Sequence, residues 1–166
     1  MRPAGEWASG EGGEGQFLVF GQEAGGRSFM AAVEPDGRRL EPLRGVALPR
    51  LLNYAGVASL DARTLVVCGG ISHDLEAISA QALALDVPSR AWRALPDMLQ
   101  RRYTFPLLAL GGRLYAFGGR VEGDDDASLL AACEAFSFAA RAWYPLAPLR
   151  RATELTRAHP LRSEER

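Results

Sequence analysis

Three short stretches carry residue types that could do chemistry. "GEGGEG" at Gly10 to Gly15 has the G-x-G-x-x-G spacing of a dinucleotide loop. Such a loop works between a strand and a helix whose N-terminus receives the pyrophosphate. Here a polar stretch precedes it, the apolar run "QFLVF" follows, and Glu11 and Glu14 would repel phosphate, so residues 1–16 read as a flexible Gly/Glu-rich leader. "SHD" at Ser72 to Asp74 holds the residue types of a hydrolase triad. Adjacent residues do not form a nucleophile–base–orienter chain, which is assembled from distant positions, and a polar loop is expected. "GDDDAS" at Gly123 to Ser128 offers carboxylates to a hard cation, but three successive Asp lack the alternate-residue spacing of a calcium loop and read as an exposed turn. His73 and His159 are the only histidines and Cys68 and Cys133 the only cysteines, with no zinc spacing among them. No metal, cofactor or catalytic residue is expected.

The bulk composition narrows the class further. The chain of 166 residues is 48% hydrophobic, with a formal net charge of -1 and a pI near 6.1, which fits one domain with a sizeable core and lacks the positive field of a nucleic-acid binder. All 19 basic residues are Arg. Both cysteines sit in apolar surroundings, "VVCGG" and "AACEAF", and read as buried reduced thiols rather than a disulfide. Neither a signal-peptide core nor a membrane-length apolar window is present, and a cytoplasmic location without membrane contact is expected.

What positions any functional residue is a repeat. "FLVFGQ" at Phe17 to Gln22, "LVVCGG" at Leu65 to Gly70 and "LYAFGG" at Leu114 to Gly119 end 48 and 49 residues apart. A second element keeps the same phase: "VEPDGRRL" ending at Leu40, "LDVPSRAW" at Trp92 and "FSFAARAW" at Trp143. Arg38, Arg90 and Arg141 each stand two residues before those ends, as turn residues, and Pro42, Pro96 and Pro145 follow. A third element pairs "NYAGVASL" from Asn53 with "RYTFPLLAL" from Arg102, making Tyr54 and Tyr103 equivalent. Within the third unit, Tyr103 to Leu110, Leu114 to Phe117, Cys133 to Phe138 and Ala142 to Leu146 are four short apolar runs, with a "GG" turn at Gly111 and Gly112. A helix over "ASLLAACEAFSFAARAW" also suits the Ala and Leu content. The matching octet argues against it, because Pro88 would break a helix there.

Four strands per unit at a period near fifty, with a glycine pair closing the second strand and a Trp opening the fourth, resemble the kelch repeat, the blade of a β-propeller. Gly69, Gly70 and Trp92, and Gly118, Gly119 and Trp143, carry that signature. The first unit has Gln22 and Leu40 in two of those places, and Leu85 and Phe136 stand near the usual third-strand Tyr. The expected fold is all-β, a partial propeller of about two and three-quarter blades at 17–46, 53–98 and 102–149, with a solvated tail at 150–166. "RRAT" at Arg150 to Thr153 echoes "RRYT" at Arg101 to Thr104, as if a further first strand began there. Each blade has two apolar faces and depends on its neighbour, so an uncovered face is expected to drive self-association.

The resemblance implies a non-enzymatic protein-interaction module. Kelch-like proteins grip partner peptides with the loops after the glycine pair and before the inner strand, here Arg120, and Arg101 with Arg102; the second unit offers Ile71 and Asn53. Arginine forks suit an acidic or phosphorylated peptide. The chain reads as a fragment or alternative product of a longer kelch protein, and if that parent resembles the kelch-like adaptors, the implied role is substrate recognition for a cullin-based ubiquitin ligase. The alternatives that the resemblance carries are a sialic-acid mutarotase and an actin-associated kelch protein.

Overall fold

A computed structural model of the chain describes residues 17–22, 28–33, 40–42, 53–72, 77–122 and 125–154. The leader at 1–16, Arg38, His73, Asp74, Gly123, Asp124 and residues 155–166 with His159 lie outside the described residues. Two compact units divide the chain at Leu48 and Pro49.

The first unit contains β1 (Phe17–Gln22), β2 (Ser28–Val33) and β3 (Leu40–Pro42), an antiparallel sheet in that order. It is the three-stranded counterpart of the complete blades that follow.

The second unit holds two four-stranded antiparallel sheets. Blade 2 is β4 (Gly56–Ser59), β5 (Thr64–Cys68), β8 (Ala82–Asp86) and β9 (Ala91–Leu95), with the short hairpin β6 (Ile71–Ser72) and β7 (Ala77–Ile78) inserted between β5 and β8. Blade 3 is β10 (Leu107–Leu110), β11 (Arg113–Phe117), β12 (Cys133–Ser137) and β13 (Ala142–Leu146). Its first strand starts at Leu107 rather than at Tyr103, because Tyr103 to Pro106 form the lead-in to the blade. The stretch considered for a helix, 127–143, instead holds β12 and the start of β13, with only a 3-10 turn at Asp126–Ser128 at its beginning.

Turn chemistry sets these boundaries. Gly111 and Gly112 have φ of 58° and 69°, the left-handed pair that a two-residue hairpin needs, and a side chain there would touch nothing. Arg90 and Arg141 both occupy the left-handed region, at φ 57° and 52°, each just before the outer strand of its blade. Their recurrence follows a backbone requirement.

One core joins the two blades. Ala58, Val66, Cys68, Ala82 and Ala84 of blade 2 meet Phe105, Leu107, Leu114, Ala116, Phe136 and Trp143, so small residues on one sheet receive large ones from the next, and β4 lies beside β10. Phe136 packs edge-on to Phe138 and at 5.3 Å from Trp143. The Trp143 indole donates Nε1–H to the Pro96 carbonyl at 2.8 Å, fastening the outer strand of blade 3 to the end of blade 2. Cys68 and Cys133 are buried free thiols; burial, and secondarily the Glu134 charge, push the Cys68 thiol far above its ordinary value. No helix among the described residues is long and apolar enough to cross a membrane.

The antiparallel order places the loops. In blade 3 the start of β10, the end of β11, the start of β12 and the end of β13 share one side, and the turns at 111–112 and 138–141 share the other. The lead-in at 96–106 and the loop at 118–132 therefore belong to the same side, which is where all three candidate arginines fall.

Candidate functional site

Each glycine pair is a backbone crossing point. Gly69 and Gly70 have φ of 64° and 98°, and Gly118 and Gly119 have 57° and 97°. A Cβ on Gly69 would stand 2.4 Å from the Arg102 carbonyl oxygen, and one on Gly118 would stand 2.4 Å from that of Thr153. Only glycine fits, because both the conformation and the approach of the next lead-in exclude a side chain. Above this crossing the loops are stitched together. Tyr103 and Arg120 exchange backbone N–H to O bonds of 3.0 and 2.9 Å, and Asn53 and Ile71 do the same in the preceding blade at 3.0 and 2.8 Å. The loop after the glycine pair and the loop before the inner strand thus form one continuous surface.

Those bridges correct the alignment of the repeats. Asn53 occupies the place of Tyr103, and Tyr54 that of Thr104; Tyr54 and Thr104 both adopt positive φ, 57° and 48°. Tyr54 is 61% exposed on the loop surface with its ring 6.4 Å from that of Tyr103. Similarity of letters had paired the two tyrosines, one position out.

The three candidate arginines have separate fates. Arg102 is fully buried, and this removes it from any peptide-gripping set. Its Nη1 donates to Gly118 O at 2.7 Å and Ala132 O at 2.9 Å, and its Nη2 to Glu134 Oε1 at 2.6 Å. Glu134 in turn accepts from the backbone N–H of Leu99 at 2.7 Å and of Gln100 at 3.3 Å. The pair is a buried clamp holding the lead-in at 98–102 onto β11 and β12, and Arg102 also lies over the Phe105 ring at 5.7 Å. Arg120 stays on the loop side, but its guanidinium is engaged: Nε donates to Glu154 Oε2 at 2.6 Å, and Nη1 donates to Asp125 O at 3.0 Å and Ser128 Oγ at 2.9 Å. Arg101 is exposed.

Asp125 explains how the loop holds Arg120. Its carboxylate accepts from Ser128 N–H at 3.0 Å, capping the 3-10 turn, and its carbonyl accepts from the Ser128 hydroxyl at 2.7 Å. Residues 125–128 therefore shape a loop. Among the described residues no group of three or more His, Cys, Asp or Glu side chains could hold a metal ion.

Sequence reasoning missed Glu134, Glu154 and Tyr54. A readable signal for Glu134 was an acid inside the apolar strand "CEAF", since a carboxylate at such a place requires a buried cation. Glu154 had no signal, because residues 150–154 read as the start of a solvated tail. They are tied down: Leu149 N–H donates to Ala131 O, Thr153 N–H to Leu130 O, and Gly119 N–H to Thr153 O, at 2.9 to 3.0 Å. The corresponding bonds one blade earlier are Met98 to Ala80, Arg102 to Ser79 and Gly70 to Arg102. Thr153 thus takes the place of Arg102, which also shifts the match of "RRAT" to "RRYT" by two residues.

Part of the chain is similar to known proteins. A kelch motif is matched over residues 101–150, the stretch from the Arg102 clamp to the end of blade 3. A putative F-box/kelch-repeat protein of Arabidopsis thaliana is 33% identical over 89 residues, covering 52% of this chain and 22% of that relative. The chain spans under a quarter of that relative's length. The kelch motif is thus matched over blade 3, and the same four-stranded blade, again closed by a left-handed glycine pair, is built a second time over 56–95.

Proposed function

We propose that the chain is a non-enzymatic protein-interaction module that takes an acidic segment of a partner protein on the loop side of its blades. The observation that carries this reading is the pairing of Tyr103 with Arg120, which merges the two loop sets into one surface bearing Arg101 and Arg120, with Tyr54 on the neighbouring loop. Arg120 is already braced by Asp125 O and Ser128 Oγ, so little side-chain freedom is lost when it pairs with a carboxylate. In the finer form of this proposal the module selects substrates for a cullin-based ubiquitin ligase in the cytoplasm, in keeping with the resemblance to kelch adaptors.

The test is capture of partners by the tagged chain, repeated with Arg101→Ala and Arg120→Ala. Loss of an acidic partner with both variants is expected; recovery unaffected by either would overturn the arginine assignment. Self-association belongs to the same proposal. Alternation along the strands turns Leu110, Tyr144 and Leu146, exposed by 55%, 48% and 38%, away from blade 2, and stacking of a second copy there is read by light scattering on a sizing column.

A further inference from the structure

The Arg120 fork on the loop surface is filled by a carboxylate of the chain itself. Glu154 Oε2 sits 2.6 Å from Arg120 Nε, with the arginine side chain 12% exposed and the glutamate 47% exposed. The contact is set by the backbone: Thr153, the residue before Glu154, is held by Gly119 N–H and by Leu130 O, so the carboxylate is delivered to the fork by the strap that crosses the glycine pair. The opposite side of the guanidinium is fixed by Asp125 O and Ser128 Oγ. One blade earlier the corresponding place is taken by Tyr103, whose backbone pairs with Arg120, so an acid at this point is specific to the last strap.

We infer that Glu154 is an internal stand-in for the partner's carboxylate, so that an acidic segment engages the loop surface by displacing Glu154 from Arg120. This rests on the proposed acidic-peptide reading and adds its regulation. The partner's ion pair replaces an existing one, so the gross electrostatic gain of the partner at Arg120 is largely offset while Glu154 competes. Affinity then depends on how firmly the 150–154 strap is seated, and anything that lifts the strap exposes the fork.

Binding of a fluorescein-labelled hexaglutamate peptide to the full chain, followed by anisotropy at low salt, tests this with Glu154→Gln, Arg120→Gln and Arg101→Ala. Relief of a competing exposed ion pair is expected to tighten binding by roughly fivefold in Glu154→Gln, and Arg120→Gln added to it is expected to abolish that gain. Unchanged or weaker binding in Glu154→Gln, with Arg120→Gln still weakening the parent, overturns the stand-in and leaves the acidic-peptide reading in place. If neither Arg120→Gln nor Arg101→Ala alters binding, both fail together. Thermal melts of each variant separate these outcomes from unfolding.

Discussion

The lead-in to blade 3 and the strap that follows it repeat the same backbone bonds with different side chains. At the first, Arg102 penetrates below the glycine pair and meets Glu134 in a clamp whose side chains are 0% and 2% exposed. At the second, Thr153 occupies the equivalent place, and the charge moves one residue on to Glu154, which stays at the surface on Arg120. The hydrogen-bond pattern thus belongs to the repeated backbone of this chain. Whether a charge there stabilises the stack or serves the surface is decided by its side chain's length and by the partner waiting in the next strand.

The largest way to break this comparison is to cut the clamp. Arg102→Met leaves Glu134 buried without its cation and is expected to destabilise by about 3–5 kcal/mol, whereas Thr153→Ala, which keeps the backbone bonds, stays within about 0.5 kcal/mol of the parent. Urea unfolding of the two variants measures the difference, and equal losses would show the clamp to be dispensable. The glycine crossings rank next. Gly69→Ala forces a Cβ against the Arg102 carbonyl and is expected to lose several kcal/mol through clash and strain together, while Gly111→Ala meets nothing and carries only the left-handed strain of about 1 kcal/mol.

A smaller effect separates the two tryptophans. Trp143→Phe gives up the bond to Pro96 O, worth about 0.5–1.5 kcal/mol together with some packing. The buried Trp92 Nε1 has no hydrogen-bond partner, so Trp92→Phe is expected to be closer to neutral by thermal melting. Reversal of that order would mean that packing alone sets the role of the tryptophan. The smallest effect is in pH dependence. Chiefly through the side-chain hydrogen bond from Arg120, Glu154 titrates below its ordinary value of 4.5. The contact therefore adds stability above that value and is lost as pH falls through the lower folded-state pKa. Glu154→Gln should flatten the acid limb of the stability profile in that window, and an identical limb would show the pair to be idle.

Much of the blade was legible because its requirements are local. A glycine pair, a Trp and an Arg at constant phase reported strand ends and left-handed turns, and the turns at 111–112, at Arg90 and at Arg141 stand where the spacing put them. Tyr54 against Tyr103 and "RRAT" against "RRYT" lie off the structural register because similar residues recur one or two positions away from the equivalent hydrogen bonds. Loops of unequal length between strands move the register by one or two residues without changing the phase of the strands. The candidate site was half legible. The loops that carry the candidate arginines came from the kelch resemblance, while Arg101 and Arg102, adjacent on one lead-in, differ in burial, and no pattern along the chain distinguishes them.

By itself, the sequence determined the all-β class, the blade period and the places where glycine is obligatory, since backbone conformation and strand alternation are written in neighbouring residues. The tertiary structure alone decided which charges are buried. Arg102 meets Glu134 from 32 positions away, and Arg120 meets Glu154 from 34, and those partners are chosen by sheet register and by the path of the lead-in across the glycine pair. A side chain's electrostatic role depends on what surrounds it in space, and for these arginines the surroundings come from another strand.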